Sequence, residues 1–263
     1  MTPPVFRCEP AQLADSRIVL SGAEGRHAST VRRLAPGERV DVTDGAGMMA
    51  ECVVTAARPG ELELTVLARR TDPAPLCRVV VAQAILKGDR GERAVELMTE
   101  VGVDEIVPWA AERCIARWRP DREDKALGRW RSTAVQAAKQ SRRSRFPVVS
   151  APARTAELAD RVARASLALL LDPAAPVSLD RLLPPSGRQE PAGIPGQDDG
   201  VPWAPRGEIV LIIGPEGGVS PEEAAALTAS GAVPARLGPS VLRGSTAGAV
   251  AGVLVLSRCG RWE

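Results

Sequence analysis

The chain has 263 residues and a mass of 27.7 kDa, with 44% hydrophobic and 25% charged residues. That is enough to bury a core in one large domain or two modest ones, and it excludes a disordered, collagen-like or coiled-coil chain. Thirty-four Lys and Arg stand against 32 Asp and Glu, a net charge of +2, which taken alone argues against coating nucleic acid by bulk charge.

Residues 1–70 read as a small β-rich unit. RVDVTDG (39–45) and MMAECVVTA (48–56) bracket a turn at Asp44-Gly45-Ala46-Gly47, predicting a hairpin. Pro59-Gly60 supplies the next turn, and ELELTVLAR (61–69) alternates polar and apolar as a half-buried strand does. A short helix is expected from Glu24 to Leu34, stopped by Pro36-Gly37. Short strands around one helix suggest a small barrel, and TDPAPLC (71–77), with two prolines, reads as a linker.

Beyond it strands and helices alternate. RVVVAQAIL (78–86) is an apolar strand, and Asp89 is placed to cap a helix that runs to Val101 and stops at Gly102. VDEIVPW (103–109) is the next strand, and Trp130, Ala134, Ala137, Ala138 and Ser141 form a helical stripe of mostly small residues. SLALLLD (166–172) and EIVLIIG (208–214) are continuous apolar runs, as buried parallel strands are. Ser220-Pro221-Glu222-Glu223 is a capping box with proline at the first helical position, and Gly231 ends that helix. VPARLG (233–238) is a last strand, followed by a helix from about Ser245 to Ser257. This is the pattern of an α/β domain with a mainly parallel sheet. Residues 184–206, with six prolines and four glycines, read as a flexible surface insertion.

The other composition signals are mostly negative. Only Lys87, Lys125 and Lys139 are lysines, the other 31 cations being arginines, which is read mainly as coding bias. Five Trp, two Phe and no Tyr argue against a base-stacking platform. Cys8, Cys52, Cys77, Cys114 and Cys259 are odd in number and form no CxxC, which argues against a zinc site or disulfide framework and fits a reduced, cytoplasmic setting. No apolar run reaches the ~18 residues of a membrane span, and MTPPVFRCEP lacks a signal-peptide core. Metal-ligand spacing is not seen.

Three constellations carry chemistry. In IIGPEGGVSPEE (212–223) an apolar strand runs into glycines and then a capped helix, the place where ligands bind beyond the carboxyl ends of parallel strands. No Gly-Lys-Ser/Thr follows, which excludes a phosphate-binding P-loop, and the glycine spacing does not fit a dinucleotide fold; a tight turn without a ligand stays open. LGPSVLRGSTAG (237–248) is a second strand end, loop and helix start, with Arg243 placed against the helix dipole and so facing an anion or polar substrate. Residues 113–145 hold eleven Lys/Arg against three acids, a local charge of +8 that leaves −6 for the rest of the chain. So one-sided a tract favours a phosphate-rich partner over a merely solvated face. The lone His27 has no Ser or Cys nucleophile near it and reads as a helix-surface or substrate-contacting residue more than a catalytic one.

Together these segments resemble the bacterial 16S ribosomal RNA uridine N3-methyltransferase family of the SPOUT superfamily. The matching stretches are GRHASTVRRLAPGERVDVTDG (25–45), KGDRGERAVELMTEVGVDEIVPWAAERC (87–114), RWRSTAVQAAKQSRRSRFP (129–147), IGPEGGVSPEE (213–223) and LGPSVLRGSTAGAVA (237–251). The resemblance covers nearly the whole chain in the family's order, and GPEGG followed by LG-x-x-x-LR is its most specific part. It implies a PUA-like RNA-binding β-barrel over 1–72 and a trefoil-knotted α/β methyltransferase domain over 73–263, acting as a homodimer without metal or membrane. It implies S-adenosylmethionine held by Leu171, Ile213, Gly214, Pro215, Glu216, Gly217, Gly218, Leu237, Gly238, Leu242, Ser245 and Thr246. The partner implied is 16S ribosomal RNA or the small ribosomal subunit, with Arg7, His27, Arg32, Arg33, Lys87, Arg142 and Arg143 as RNA contacts. Arg243 is expected to stabilise charge on the uracil as N3 is methylated. The chain departs from the family's L-R-T-E-T-A, reading Leu242-Arg243-Gly244-Ser245-Thr246-Ala247, and from its A-A-E-Q, reading Ala137-Ala138-Lys139-Gln140. Ribose 2′-O-methylation and a non-catalytic RNA-binding or ribosome-assembly role are the alternatives, the second kept open by Gly244-Ser245.

Overall fold

The structure is a computed structural model that describes residues 2–183 and 207–262; the insertion expected over 184–206 lies outside the described residues. Contacts divide the chain into one unit of Met1–Ala74 with Val135–Phe146 and another of Pro75–Ala134 with Pro147–Glu263.

The first unit contains β1 (Val5–Arg7), β2 (Arg17–Leu20), α1 (Gly22–Arg26), a π-type turn over His27–Val31, β3 (Arg39–Thr43), β4 (Met48–Arg58) and β5 (Glu61–Thr71). They form a five-stranded sheet in the order β1-β3-β4-β5-β2, with β1 parallel to β3 and the other pairs antiparallel. Period-two alternation sends Val40, Val42, Cys52, Val54, Leu62 and Leu64 into one core with Phe6, Leu13 and Ile18. The β3–β4 turn forms where the sequence predicts it. Asp44 Oδ1 accepts from Ala46 N at 2.6 Å, and Gly45 and Gly47 take positive φ of 77° and 117°.

By its contacts the segment 135–146 groups with residues 1–74 in the first unit. The hydrogen bonds give the reason. Thr43 Oγ1 donates to the Ser144 carbonyl at 3.1 Å, Ser144 Oγ to Asp72 at 2.5 Å, and Phe146 N to the Gly45 carbonyl at 2.8 Å. The basic tract is therefore divided between the two units. Lys139, expected among its charges, is buried against Glu24 at 2.7 Å, and Arg145 is spent on the Asp72 carbonyl.

The second unit contains β6 (Cys77–Ala84), α2 (Arg90–Val101), β7 (Glu105–Trp109), α3 (Pro120–Gln140, its end lying in the first unit), β8 (Val148–Val149), α4 (Thr155–Val162), β9 (Leu167–Leu171), α5 (Leu179–Leu182), β10 (Gly207–Ile213), α6 (Pro221–Ala229), β11 (Val233–Ala235) and α7 (Gly244–Arg258). The sheet order is β11-β9-β10-β6-β7-β8 and every pair is parallel. Both faces are covered, which is why the strands read as unbroken apolar runs. Val79, Val81, Leu169, Ile209 and Leu211 pack towards Met98 of α2 and Val255 of α7. Val80, Ala82, Leu170, Val210 and Ile212 pack towards Leu158 of α4 and Leu227 of α6.

The helix expected over Glu24 to Leu34 is α-helical only over Gly22–Arg26 before the π-type turn; in the second unit the expected helix ends form with one exception. Gly102 closes α2 at φ 104°, and the Ser220–Glu223 capping box forms at the start of α6. Asp89, expected to cap α2 with its side chain, does not: its backbone is already helical (φ −82°, ψ 0°), so the carboxylate is not aimed at the next turn.

At the amino ends of the strands, charge is densely paired. Arg161 of α4 bonds both oxygens of Glu105, at 2.7 and 2.8 Å, and both of Glu208, at 2.5 and 2.7 Å. Arg78 adds a bond to Glu105 at 2.8 Å and Ser150 another at 2.5 Å. Burial alone would push the Glu105 carboxyl up; the bonds from Arg161 and Ser150 and the charges of Arg161 and Arg78 outweigh it and hold the group at about 2.

Candidate active site

A cavity of about 600 Å³ opens at the opposite end of the same sheet. Three neighbouring strands stop there in register: Ile213 of β10 lies beside Leu171 of β9, and Leu171 beside Ala235 of β11. The loops that follow them are thereby set side by side. Of the residues expected to hold the cofactor, Leu171, Ile213, Gly214, Pro215, Glu216, Gly218, Leu237, Gly238, Leu242 and Ser245 line this cavity. Gly217 and Thr246 are not in its wall. A Cβ at Gly217 would lie 3.0 Å from the Arg113 carbonyl, and Thr246 N is turned to the Arg243 carbonyl at 2.8 Å.

Local chemistry fixes the 214–218 loop. A Cβ on Gly214 would stand 2.7 Å from Val219 Cγ2, and Gly218 needs φ +75°. Glu216 anchors the loop from above, its Oε1 accepting from Lys87 N and from Arg90 Nη1, each at 3.4 Å. Below it Glu223, buried in the α6 capping box, accepts from Thr155 Oγ1 at 2.6 Å and Glu112 N at 3.0 Å. The floor is thus tied to α4 and to the chain leaving β7.

Arg243 lies in the cavity wall as the N-cap residue of α7 and is exposed. Among the described residues no carboxylate lies within 4.0 Å of its guanidinium. The helix dipole also disfavours a cation there. The side chain is a cation without an internal anion, facing a cavity. Leu86, Arg90, Asp172 and Ser240, not named individually from the sequence, also line it. Leu86 and Asp172 follow the ends of β6 and β9, so the strand-end rule applied to every parallel strand would have found them. Arg90 and Ser240 lie within the KGDRGER and LGPSVLR stretches, with nothing local that singles them out there.

The expected RNA contacts divide between the units. Lys87 is exposed in the second, its backbone N engaged by Glu216. Arg7, His27, Arg32, Arg33, Arg142 and Arg143 all belong to the first. His27 is edge-on to Phe6, with ring centroids 5.9 Å apart, and Lys139 Nζ sits 5.6 Å from the same ring. Arg7, Arg32, Arg33 and Arg142 are exposed, and Arg143 is half-buried. Arg33 and Arg142 adopt left-handed φ of 54° and 58°, each just past a helical segment, where glycine is the usual residue. Among the described residues no three His, Cys, Asp or Glu gather as metal ligands, and no helix is long and apolar enough to cross a membrane.

Known proteins match this architecture along its length. Residues 72–256 match the RNA methyltransferase domain family, and residues 20–67 the RNA methyltransferase PUA domain family. The chain is 42% identical over 249 residues to the ribosomal RNA small subunit methyltransferase E of Mycobacterium bovis, covering 93% of this chain and 88% of that protein. The protein of the same name from Mycobacterium tuberculosis matches to the same extent. Ribosomal RNA small subunit methyltransferase E of Neisseria gonorrhoeae, solved bound to S-adenosyl methionine, superposes with a TM-score of 0.79 at 25% identity, covering 97% of each chain. A methyltransferase of Legionella pneumophila in complex with the same cofactor gives 0.78 at 25% identity, over 97% of this chain and 98% of that one. The fold is therefore α/β with a parallel sheet, preceded by a PUA-like domain.

Proposed function

The chain belongs to the RNA methyltransferase family, and from that premise we propose that it transfers a methyl group from S-adenosylmethionine to uridine N3 in small-subunit (16S) ribosomal RNA. The observation that carries the reading is the cavity at the carboxyl ends of β9, β10 and β11, with Arg243 in its wall. The uracil N3 target rests on the resemblance of GPEGG and LG-x-x-x-LR to that family, as do the trefoil knot, the homodimer and the domain division at 72/73.

The residues fit the cofactor. The volume lies within the range of small-molecule pockets, about 300–1,000 Å³. Gly238 lines the wall, yet a Cβ built on it meets nothing within 4 Å. Packing does not demand that glycine, and its bareness keeps the cavity open. Backbone edges at 214–218 and 237–242 would hold the adenosine part, with Leu171 and Ile213 as its apolar floor.

The cofactor, when bound, supplies a methyl group on a sulfonium, an electrophile that needs no metal. The task left to the chain is on the acceptor side. Uracil N3 carries a proton, which passes to water as the N3–methyl bond forms and the S–methyl bond breaks to leave a neutral thioether; the proton's loss puts negative charge on the ring. Arg243, a guanidinium with no carboxylate partner among the described residues, stabilises that charge. Holding the acceptor in line with the methyl group supplies much of the remaining acceleration. Arg7, His27, Arg32, Arg33, Arg142 and Arg143 of the first unit, with Lys87 of the second, contact the RNA in this reading.

The test is the small-subunit RNA of a strain lacking the protein, mapped by mass spectrometry. One N3-methyluridine is lost, and the purified protein with S-adenosylmethionine restores it. A strain that loses no methyl group, or loses one from a ribose 2′-hydroxyl, overturns the reading.

A further inference from the structure

The second unit has another concavity, which the cavity above does not use. A groove of about 720 Å³ is lined by Arg117, Trp118, Arg119, Arg122, Lys125 and Arg129. Arg122, Lys125 and Arg129 recur at helical spacing along one face of α3, and Arg119 precedes them by the same step. All five cations are exposed. Like charges at such spacing oppose helix formation, so helix stability does not account for the stripe.

Neutralisation is thin. Arg129 pairs with Glu92 at 2.9 Å, and Arg122 reaches its neighbour Asp121 at 3.6 Å with both side chains widely exposed. Among the described residues Arg117 bonds only a backbone carbonyl, that of Glu112. Among the described residues neither Arg119 nor Lys125 has a carboxylate within 4.0 Å.

The groove is fastened to the cavity wall. The chain bearing Arg117 and Arg119 leaves the carboxyl end of β7, the end of the sheet at which the cavity opens. Glu112 N is held by Glu223, and the Arg113 carbonyl packs on Gly217. Arg129 binds Glu92 in the first turn of α2, whose Arg90 lines the cavity. The elements that line the groove thus also hold the cavity.

We propose that this groove is a phosphate-binding site for the RNA strand that enters the cavity. It grips the phosphodiester backbone beside the target nucleotide through guanidinium groups and does not read bases. The inference rests on reading the cavity as the methyl-transfer site. It adds a second electrostatic contact, in the methyltransferase unit, to the arginines of the first.

The experiment uses the full chain with Arg119→Gln, Arg122→Gln and Lys125→Gln combined. Fluorescence anisotropy with a small-subunit RNA fragment is read across a salt series. Calorimetry with S-adenosylmethionine and a thermal melt report on the fold. The expected result is RNA affinity about tenfold lower or more, a salt slope shallower by about 2, and unchanged cofactor binding. The double variant Arg119→Lys/Arg122→Lys keeps the slope. RNA affinity and slope equal to wild type in a folded, cofactor-binding triple variant overturn the proposal. Weaker binding to whole small subunits with unchanged binding to naked RNA also overturns it, in favour of an acidic protein surface. Methylation by the wild-type chain is scored separately: its absence defeats the functional reading, while the salt slope still judges the groove.

Discussion

The two ends of the parallel sheet treat charge in opposite ways. At the amino ends, Glu105, Arg161, Glu208 and Arg78 satisfy one another almost completely. At the carboxyl ends, mostly glycines and apolar residues line an open volume, and Arg243 stands in its wall with no carboxylate partner among the described residues. One end is closed in on itself and holds the strands together. The other is left chemically incomplete. Burial and charge do not separate the two; whether each charge has its partner inside the chain does.

The largest effect is expected at the paired end. Arg161→Ala leaves Glu105 with Arg78 and Ser150, and Glu208 with Arg78 at 4.0 Å, and should cost about 3 kcal/mol of stability in denaturant titration, at the lower end for a broken buried pair. Cofactor affinity of the folded protein stays unchanged. The pH dependence follows from Glu105. Its carboxyl titrates at about 2 in the folded chain, below its ordinary 4.5. The stabilisation is therefore full above about 4.5 and is lost as pH falls towards 2. The gap between wild type and Arg161→Ala should narrow over that window. A gap constant from pH 6 to pH 3 would show that the pair is not the source.

At the open end the effects should fall on function. Arg243→Ala is expected to lower turnover on RNA by about 10²–10³-fold while cofactor binding and the melting temperature hold. Wild-type turnover would remove Arg243 from the mechanism. Gly238→Val comes next. Its Cβ enters empty space and its φ is not left-handed, so stability should not change. The cavity is filled, though, and cofactor affinity should drop about 10–100-fold, on the scale of overpacking. Calorimetry checks this, and unaltered affinity would place the cofactor elsewhere.

Most of the open end was legible in the sequence because it is built from local signals. Strand ends, the glycines at 214–218 and the Ser220 capping box each declare themselves within about ten residues. The paired end was not legible, since Glu105, Arg161 and Glu208 lie 47 to 56 residues from their partners along the chain. The same limit hid the tie of Ser144 to Asp72 and Thr43 across 72 and 101 residues. Without it, the tract 113–145 reads as one basic face instead of two pieces in two units. The short strands β1 and β8 show no period because three and two residues are too few to carry one.

The smallest effect tests how far the open end tolerates change. Gly244 replaces the threonine usual in the family this chain resembles, at the first position of α7. A Cβ there would lie 3.1 Å from Leu86 Cδ2, the end of a flexible side chain, and 3.5 Å from the Gly214 carbonyl, an ordinary contact. Leu86 needs to give only a few tenths of an ångström. Against that crowding stands the gain of replacing glycine in a helix, at most about 1 kcal/mol in an interior and less in a first turn. Gly244→Ala should therefore change stability by no more than about 0.5 kcal/mol. Leu86 lines the cavity, so a few-fold change in cofactor affinity is expected beside it. A loss of several kcal/mol would mean that the loop after β10 and the start of α7 are packed as tightly as the ion cluster at the other end. The contrast between the two ends would then rest on charge alone.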